Sequence, residues 1–156
     1  MKGSRKVVEV LNDILTAELT GINQYFVHSK MCRNWGFERL AHEAYQESIG
    51  EMKHASELVE RILFLEGVPN LQKLDKVRIG ETIPEQFKSD LGLEKMAIAR
   101  LNKAIGLCLA ENDSGSRELL EHILVSEEKH LDWVETQLGL IDRLGEAVYL
   151  AEQLHK

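Results

Sequence analysis

The sequence predicts an all-α protein: a four-helix bundle with one long crossover between its second and third helices and a short fifth helix near the C-terminal end. Three observations predict it. Only 2 of 156 residues are proline, so long helices run without interruption. Apolar side chains recur at helical spacing through four separate segments. In the middle of each apolar stripe stands a glutamate, at a position where a bundle core would take an aliphatic side chain.

The first helix carries Val7, Leu11, Ile14, Glu18, Ile22 and Tyr25 on one face. Asn34–Gly36 is a short turn, so the second helix returns antiparallel beside the first. Its stripe reads Phe37, Leu40, Ala44, Ser48, Glu51, Ala55, Leu58 and Ile62. Gly67–Thr82, which contains Pro69 and Gly80, holds no helical period. Its roughly 16 residues reach about 50 Å when extended, enough to travel the ~45 Å of a long helix. Thr82-Ile-Pro-Glu85 reads as a capping box opening the third helix. That helix carries Phe87, Leu91, Glu94, Ile98, Leu101, Ile105 and Cys108. Asn112–Ser116 is the second short turn, and Leu120, Ile123, Glu127, His130, Val134, Leu138 and Ile141 form the fourth stripe. After Gly145 a short helix follows through Tyr149 and Leu150.

The acidic interruptions are ordered. Glu18, Glu51 and His54 recur as Glu94, Glu127 and His130, each displaced by 76 residues. Two helices thus supply one Glu each, and two others supply a Glu-x-x-His, the ligand pattern of di-iron and di-manganese bundles. Glu-x-x-His alone is a weak signal, since it occurs a third time at Glu152–His155 with no facing partner. A matched upstream Glu in both halves has a chance on the order of 0.02 and carries the weight. Identity between the halves is otherwise close to chance, so what repeats is ligand geometry. Four carboxylates buried together repel one another, and each costs several kcal/mol to desolvate. Two divalent cations would offset their charge, with two neutral imidazoles completing the shells.

The length suits one domain, residues 1–156, with a sizeable core. A net charge of −7 argues against nucleic-acid binding, which needs a basic stripe. Cys32 and Cys108 stand alone, without a C-x-x-C, and read as buried thiols. The opening MKGSRKVVEV lacks the apolar run of a signal peptide, and no run of 18 apolar residues exists, so a cytoplasmic protein without membrane contact is expected. A second apolar stripe, Tyr45, Ile49 and Met52 with Leu19 and Phe26, lies about 100° from the Glu51 line and points to self-association. His28, His42, His122 and His155 have no partner motif and read as surface or satisfied core residues.

Four segments resemble bacterioferritin, and the resemblance covers essentially the whole chain. They are Leu19-Thr-Gly-Ile-Asn-Gln-Tyr-Phe26, Glu47-Ser-Ile-Gly-Glu-Met-Lys-His-Ala55, Arg61-Ile-Leu-Phe-Leu-Glu-Gly-Val-Pro-Asn-Leu71 and Glu127-Glu-Lys-His-Leu-Asp-Trp-Val-Glu-Thr-Gln-Leu138. The resemblance implies a ferritin-like bundle and a hollow 24-subunit shell built from dimers. It implies ferroxidase activity, with dioxygen or peroxide oxidising Fe(II) and ferric mineral collecting inside. Glu18 and Glu94 would then be terminal carboxylates and Glu51 and Glu127 bridging ones of a di-iron centre. His54 and His130 would each cap one iron. Met52 matches the ligand of a haem b shared between two subunits, and Tyr25 an aromatic near the centre. A small iron-sulfur ferredoxin is the electron donor the resemblance implies. Two departures stand out. Gln46 and Gly50 replace the ligands of an additional inner-wall iron site, and Val148 and Ala151 make the four-fold pore less polar. The rival readings are another ferritin-like di-metal enzyme (a rubrerythrin-type peroxidase or a manganese catalase), a haem protein serving only electron transfer, and a metal-free helical interaction bundle.

Overall fold

Five helices follow in order: α1 (Arg5–Asn34), α2 (Glu38–Phe64), α3 (Ile83–Ala110), α4 (Ser114–Leu144) and α5 (Glu146–Ala151). They are seen in a computed structural model that describes residues 1–155. α1 packs along α2, α3 along α4, and α1 also lies on α3. No strand occurs among the described residues. The architecture is the expected four-helix bundle with a long crossover and a short fifth helix. One boundary differs: α4 starts at Ser114, inside the stretch expected to be turn.

The first three helices stop in the same way. A residue in the left-handed region turns the chain: Gly36 (φ 91°), Glu66 (φ 62°) or Asn112 (φ 56°). The next amide then bonds to the carbonyl five residues back, Phe37 to Cys32, Gly67 to Ile62 and Asp113 to Cys108, each at 2.9 Å. These bonds satisfy carbonyls that the helix end would otherwise leave without donors.

Helix starts are fixed by side chains. At α3 the Thr82 hydroxyl accepts the Glu85 N–H at 3.3 Å, and Glu85 accepts the Glu81 N–H at 2.8 Å. The capping box is therefore present, with its return bond shifted by one residue. At α4, Asp113 accepts the Ser116 N–H at 2.9 Å. Arg61, near the end of α2, donates to Asp113 at 2.8 Å and to the Ser116 hydroxyl at 3.0 Å, tying α2 to the start of α4.

The crossover has no helix or strand partner for its backbone, so its donors go elsewhere. Three α1 side chains spaced four apart accept them. Thr20 takes the N–H of Asp75 at 2.9 Å, Gln24 that of Arg78 at 3.1 Å, and His28 that of Gly80 at 3.0 Å. Gly80 is required by packing: a Cβ there would stand 2.3 Å from the Gln86 backbone nitrogen.

The apolar core falls into two clusters. One holds Val7, Leu11, Ile14, Leu58, Ile62, Leu101, Leu120 and Ile123 among others. The second holds Cys32, Leu40, Ala41, Ile83, Phe87, Val134 and Tyr149. On every long helix the acidic interruption lies between the members of these two clusters. A polar layer therefore crosses the bundle with an apolar plug on either side.

Candidate metal centre

Helical spacing delivers the polar layer. Glu18 on α1, Glu51 and His54 on α2, and Glu127 on α4 bring ligand atoms within 4.8 Å of one another. His54 Nδ1 lies 3.2 Å from Glu127 Oε1 and 3.4 Å from Glu18 Oε2. Glu94 on α3 and His130 on α4 stand beside this group, His130 Nδ1 lying 3.1 Å from Glu94 Oε1. Glu94 lies close enough to Glu127 for the two carboxyls to act on each other, and the Tyr25 hydroxyl donates to Glu94. All six side chains are buried, none more than 7% exposed. The sequence pattern thus places all six in one layer, four in a tight group and two adjoining it.

Room for Glu51 comes from α1. A Cβ on Gly21 would stand 3.0 Å from Glu51 Oε2, so the glycine lets the carboxylate lie against the helix backbone. Tyr25 meets the His130 ring edge-on with centroids 5.1 Å apart, and Trp133 stacks on the same ring at 6.1 Å. These two aromatics fix the orientation of the imidazole.

The protein's own hydrogen bonds do not satisfy the layer. Glu18 Oε2, His54 Nδ1, Glu94 Oε2 and Glu127 Oε1 are buried without a hydrogen-bond partner. Burial, then the Glu127 charge, pushes the Glu18 carboxyl above the ordinary range. Burial and Glu18 push Glu51 well above it, and burial and the neighbouring Glu127 do the same to Glu94. For Glu127, burial works upward, but its close neighbours Glu94, His54 and Glu51 outweigh it and hold the carboxyl at about 2. For His54, burial works downward, but the Glu127 and Glu18 carboxylates close beside it lift it to about 10. His130 is pushed down by burial. Four carboxylates with two imidazoles, several atoms unpartnered, fit a pair of hard divalent cations.

Other expected residues fall as follows. Met52 is 58% exposed, and Tyr45 and Phe26 are exposed too, but of the other two members of the expected stripe Ile49 is half-buried and Leu19 packs against the first core cluster. Gln46 is exposed, and around Gly50 there is open space, so no ligand group stands there. Val148 and Ala151 are exposed on α5. His28 is a satisfied core histidine, His42 is half-buried, and His122, Glu152 and His155 are exposed. The sequence pattern did not single out Glu47, Asp90, Gln24 or Trp133. Glu47 approaches His130 Nδ1 at 3.7 Å, and burial, then Glu127, lifts it to about 7. Glu47 and Asp90 each precede a ligand glutamate by one helical turn, and that i−4 spacing was the available signal.

The ferritin-like domain family matches residues 8–144. The bacterioferritin BfrA of Mycobacterium tuberculosis is 49% identical over 152 residues, covering 97% of this chain and 96% of that protein. The chain belongs to the bacterioferritin family. The Streptomyces coelicolor bacterioferritin is 47% identical, covering 97% of this chain and 90% of its own. The Rhodobacter capsulatus bacterioferritin is 46% identical over 93% of this chain and 90% of its own. Among the described residues, no helix of this bacterioferritin family member is long and apolar enough to cross a membrane.

Proposed function

We infer that this iron-storage protein of the bacterioferritin family is a ferroxidase, taking Fe(II) as substrate at the buried layer and passing Fe(III) to a mineral. The observation that carries the reading is the set of unpartnered buried atoms on Glu18, His54, Glu94 and Glu127. Glu51 and His130 complete the six proposed ligands. Carboxylates are hard donors that favour Fe(III), whereas the imidazoles keep affinity for Fe(II). Ligands must be deprotonated to bind, so loading competes with protons at the carboxyls that burial raises and at His54.

Two irons held together each lose one electron, and dioxygen takes up two electrons and two protons to leave hydrogen peroxide. With peroxide as oxidant the same two electrons and two protons leave two waters. Paired oxidation avoids releasing one-electron oxygen radicals. Tyr25, donating to Glu94, keeps that carboxylate aimed into the layer, and the two apolar plugs exclude bulk water from either end.

The exposed stripe at Phe26, Tyr45 and Met52 supports pairing of subunits, and pairing is the first step toward a 24-subunit shell. Met52 of each partner would hold a haem b there, its thioether free at the surface, and the haem would supply one-electron transfer for iron release. A small iron-sulfur ferredoxin is the class of donor that fits such a path, and the cytoplasm the compartment.

The test is Fe(II) added in air, stepwise and far beyond two irons per chain, followed by size-exclusion with iron and haem detection. Iron co-eluting with a shell-sized particle is expected. Saturation at about two irons on a small oligomer would leave a di-metal centre and overturn storage. Glu127→Ala and His130→Ala should each abolish the fast oxidation phase, and an unchanged fast phase in either would remove that residue from the site.

A further inference from the structure

Asp90 is buried at 6% exposure on α3, one helical turn before Glu94, and is not among the six proposed ligands. Its Oδ1 receives two hydrogen bonds from α1, from Gln24 Nε2 at 2.8 Å and from His28 Nδ1 at 3.1 Å. The backbone settles the direction of both. The Gly80 N–H can only donate, so His28 Nε2 accepts it at 3.0 Å and the ring proton resides on Nδ1, facing Asp90. The Arg78 N–H likewise forces Gln24 to present Oε1 to the crossover, which turns its amide nitrogen toward Asp90. One carboxylate oxygen therefore orients two side chains that each seat a crossover amide. Tyr25 lies between Gln24 and His28 in the chain, and its hydroxyl donates to Glu94. Asp90 also borders a small cavity of about 20 Å³ with Tyr25, Glu47, His130 and Trp133.

We propose that Asp90 is a positioning residue of the metal centre: by receiving Gln24 and His28 it locks α1 to α3 so that Tyr25 and Glu94 meet in register. It touches neither metal nor oxidant and acts through Glu94. The proposal rests on the di-metal reading above. Tyr25 is the side chain that directly holds a proposed ligand, Glu94, and losing such a support costs roughly 10–100-fold in metal affinity or activity; Asp90 keeps that support in place.

The test compares Asp90→Ala, Asp90→Asn and Gln24→Met with the unaltered chain, using Co(II) as an optical probe and hydrogen exchange on metal-free protein. Asp90→Ala should weaken one of two Co(II) equivalents by about 10-fold or more, alter its visible spectrum, and speed exchange at the Arg78 and Gly80 amides. Asp90→Asn retains an oxygen that accepts both bonds, and should restore the Co(II) spectrum and the slow exchange. If Asp90→Ala does not fold, Gln24→Met, which removes one of the two bonds, should show the same changes to a lesser degree. A lowered melting temperature with unchanged Co(II) affinity and spectrum in the Ala and Met variants would reduce Asp90 to a structural residue and overturn the proposal. Should the unaltered chain bind no Co(II) or Fe(II), the metal reading itself fails. The exchange rates at Arg78 and Gly80 would still report whether Asp90 seats the crossover.

Discussion

At Gly21 a methyl group would press on Glu51 Oε2 from 3.0 Å, whereas the α1 backbone at that position is ordinary helix. Gly21→Ala therefore separates two effects. Alanine favours the helix by about 1 kcal/mol, but it pushes a proposed bridging carboxylate out of place. The expected outcome is an unchanged or raised melting temperature together with Co(II) binding weakened about 10-fold, read by calorimetry and by optical titration. At the surface, Met52 is exposed enough to reach a group outside its own subunit. Met52→Leu keeps the apolar contact and removes the sulfur, so purified particles should lose their Soret absorbance while keeping their size and fast Fe(II) oxidation. Retained Soret absorbance would rule Met52 out as the haem ligand.

The start of α4 shows how an element can be set by a distant residue. Asn112-Asp-Ser-Gly-Ser116 offers several turn-forming residues in a row, and local sequence does not say which one caps. Arg61 decides it from α2 by bonding both Asp113 and Ser116. The cap of α3 was legible, because Thr82 and Glu85 stand at capping-box spacing and Pro84 follows within the first turn. Burial alone would raise the Asp113 carboxyl, but the Ser116 N–H, the Ser116 hydroxyl and Arg61 outweigh it and hold the group below the ordinary range. A carboxyl depressed by folding stabilises fully above its unfolded value of about 4. That contribution is lost as pH falls through the lower folded value. Asp113→Ala should thus cost about 1–2 kcal/mol at neutral pH, and the gap between variant and parent should close below about pH 4. A gap that persists unchanged into strong acid would assign the loss to packing rather than to the cap.

The whole bundle was readable from periodicity because four long apolar stripes leave few ways to pack. The six proposed ligands were readable because a glutamate breaks each stripe at a core position and a histidine follows two of these glutamates at i+3. The network under the crossover was not. Thr20, Gln24 and His28 accept backbone amides of Asp75, Arg78 and Gly80; their four-residue spacing puts them on one face of α1, but nothing in that spacing says that a remote backbone is what they serve. Metal should matter to the molecule as a whole. Free cation at about 100 times its dissociation constant adds about 2.7 kcal/mol of stability, so chelation should lower the melting temperature in calorimetry. No change on chelation would mean that the layer holds no metal.

The two apolar plugs have a consequence for how the particle is put together. Each plug is built from apolar side chains packed on one another, and the second meets the layer where Trp133 stacks on His130, so the wall and the chemistry it houses are largely separable parts. Exchanging all six proposed ligands for apolar residues of matching volume should give a chain that folds at least as well, since buried charges replaced in this way often add about 1–4 kcal/mol. Such chains would serve as silent masonry. Mixed with active chains in known proportion, they should yield particles whose oxidation rate follows the active fraction while the volume left for mineral stays the same.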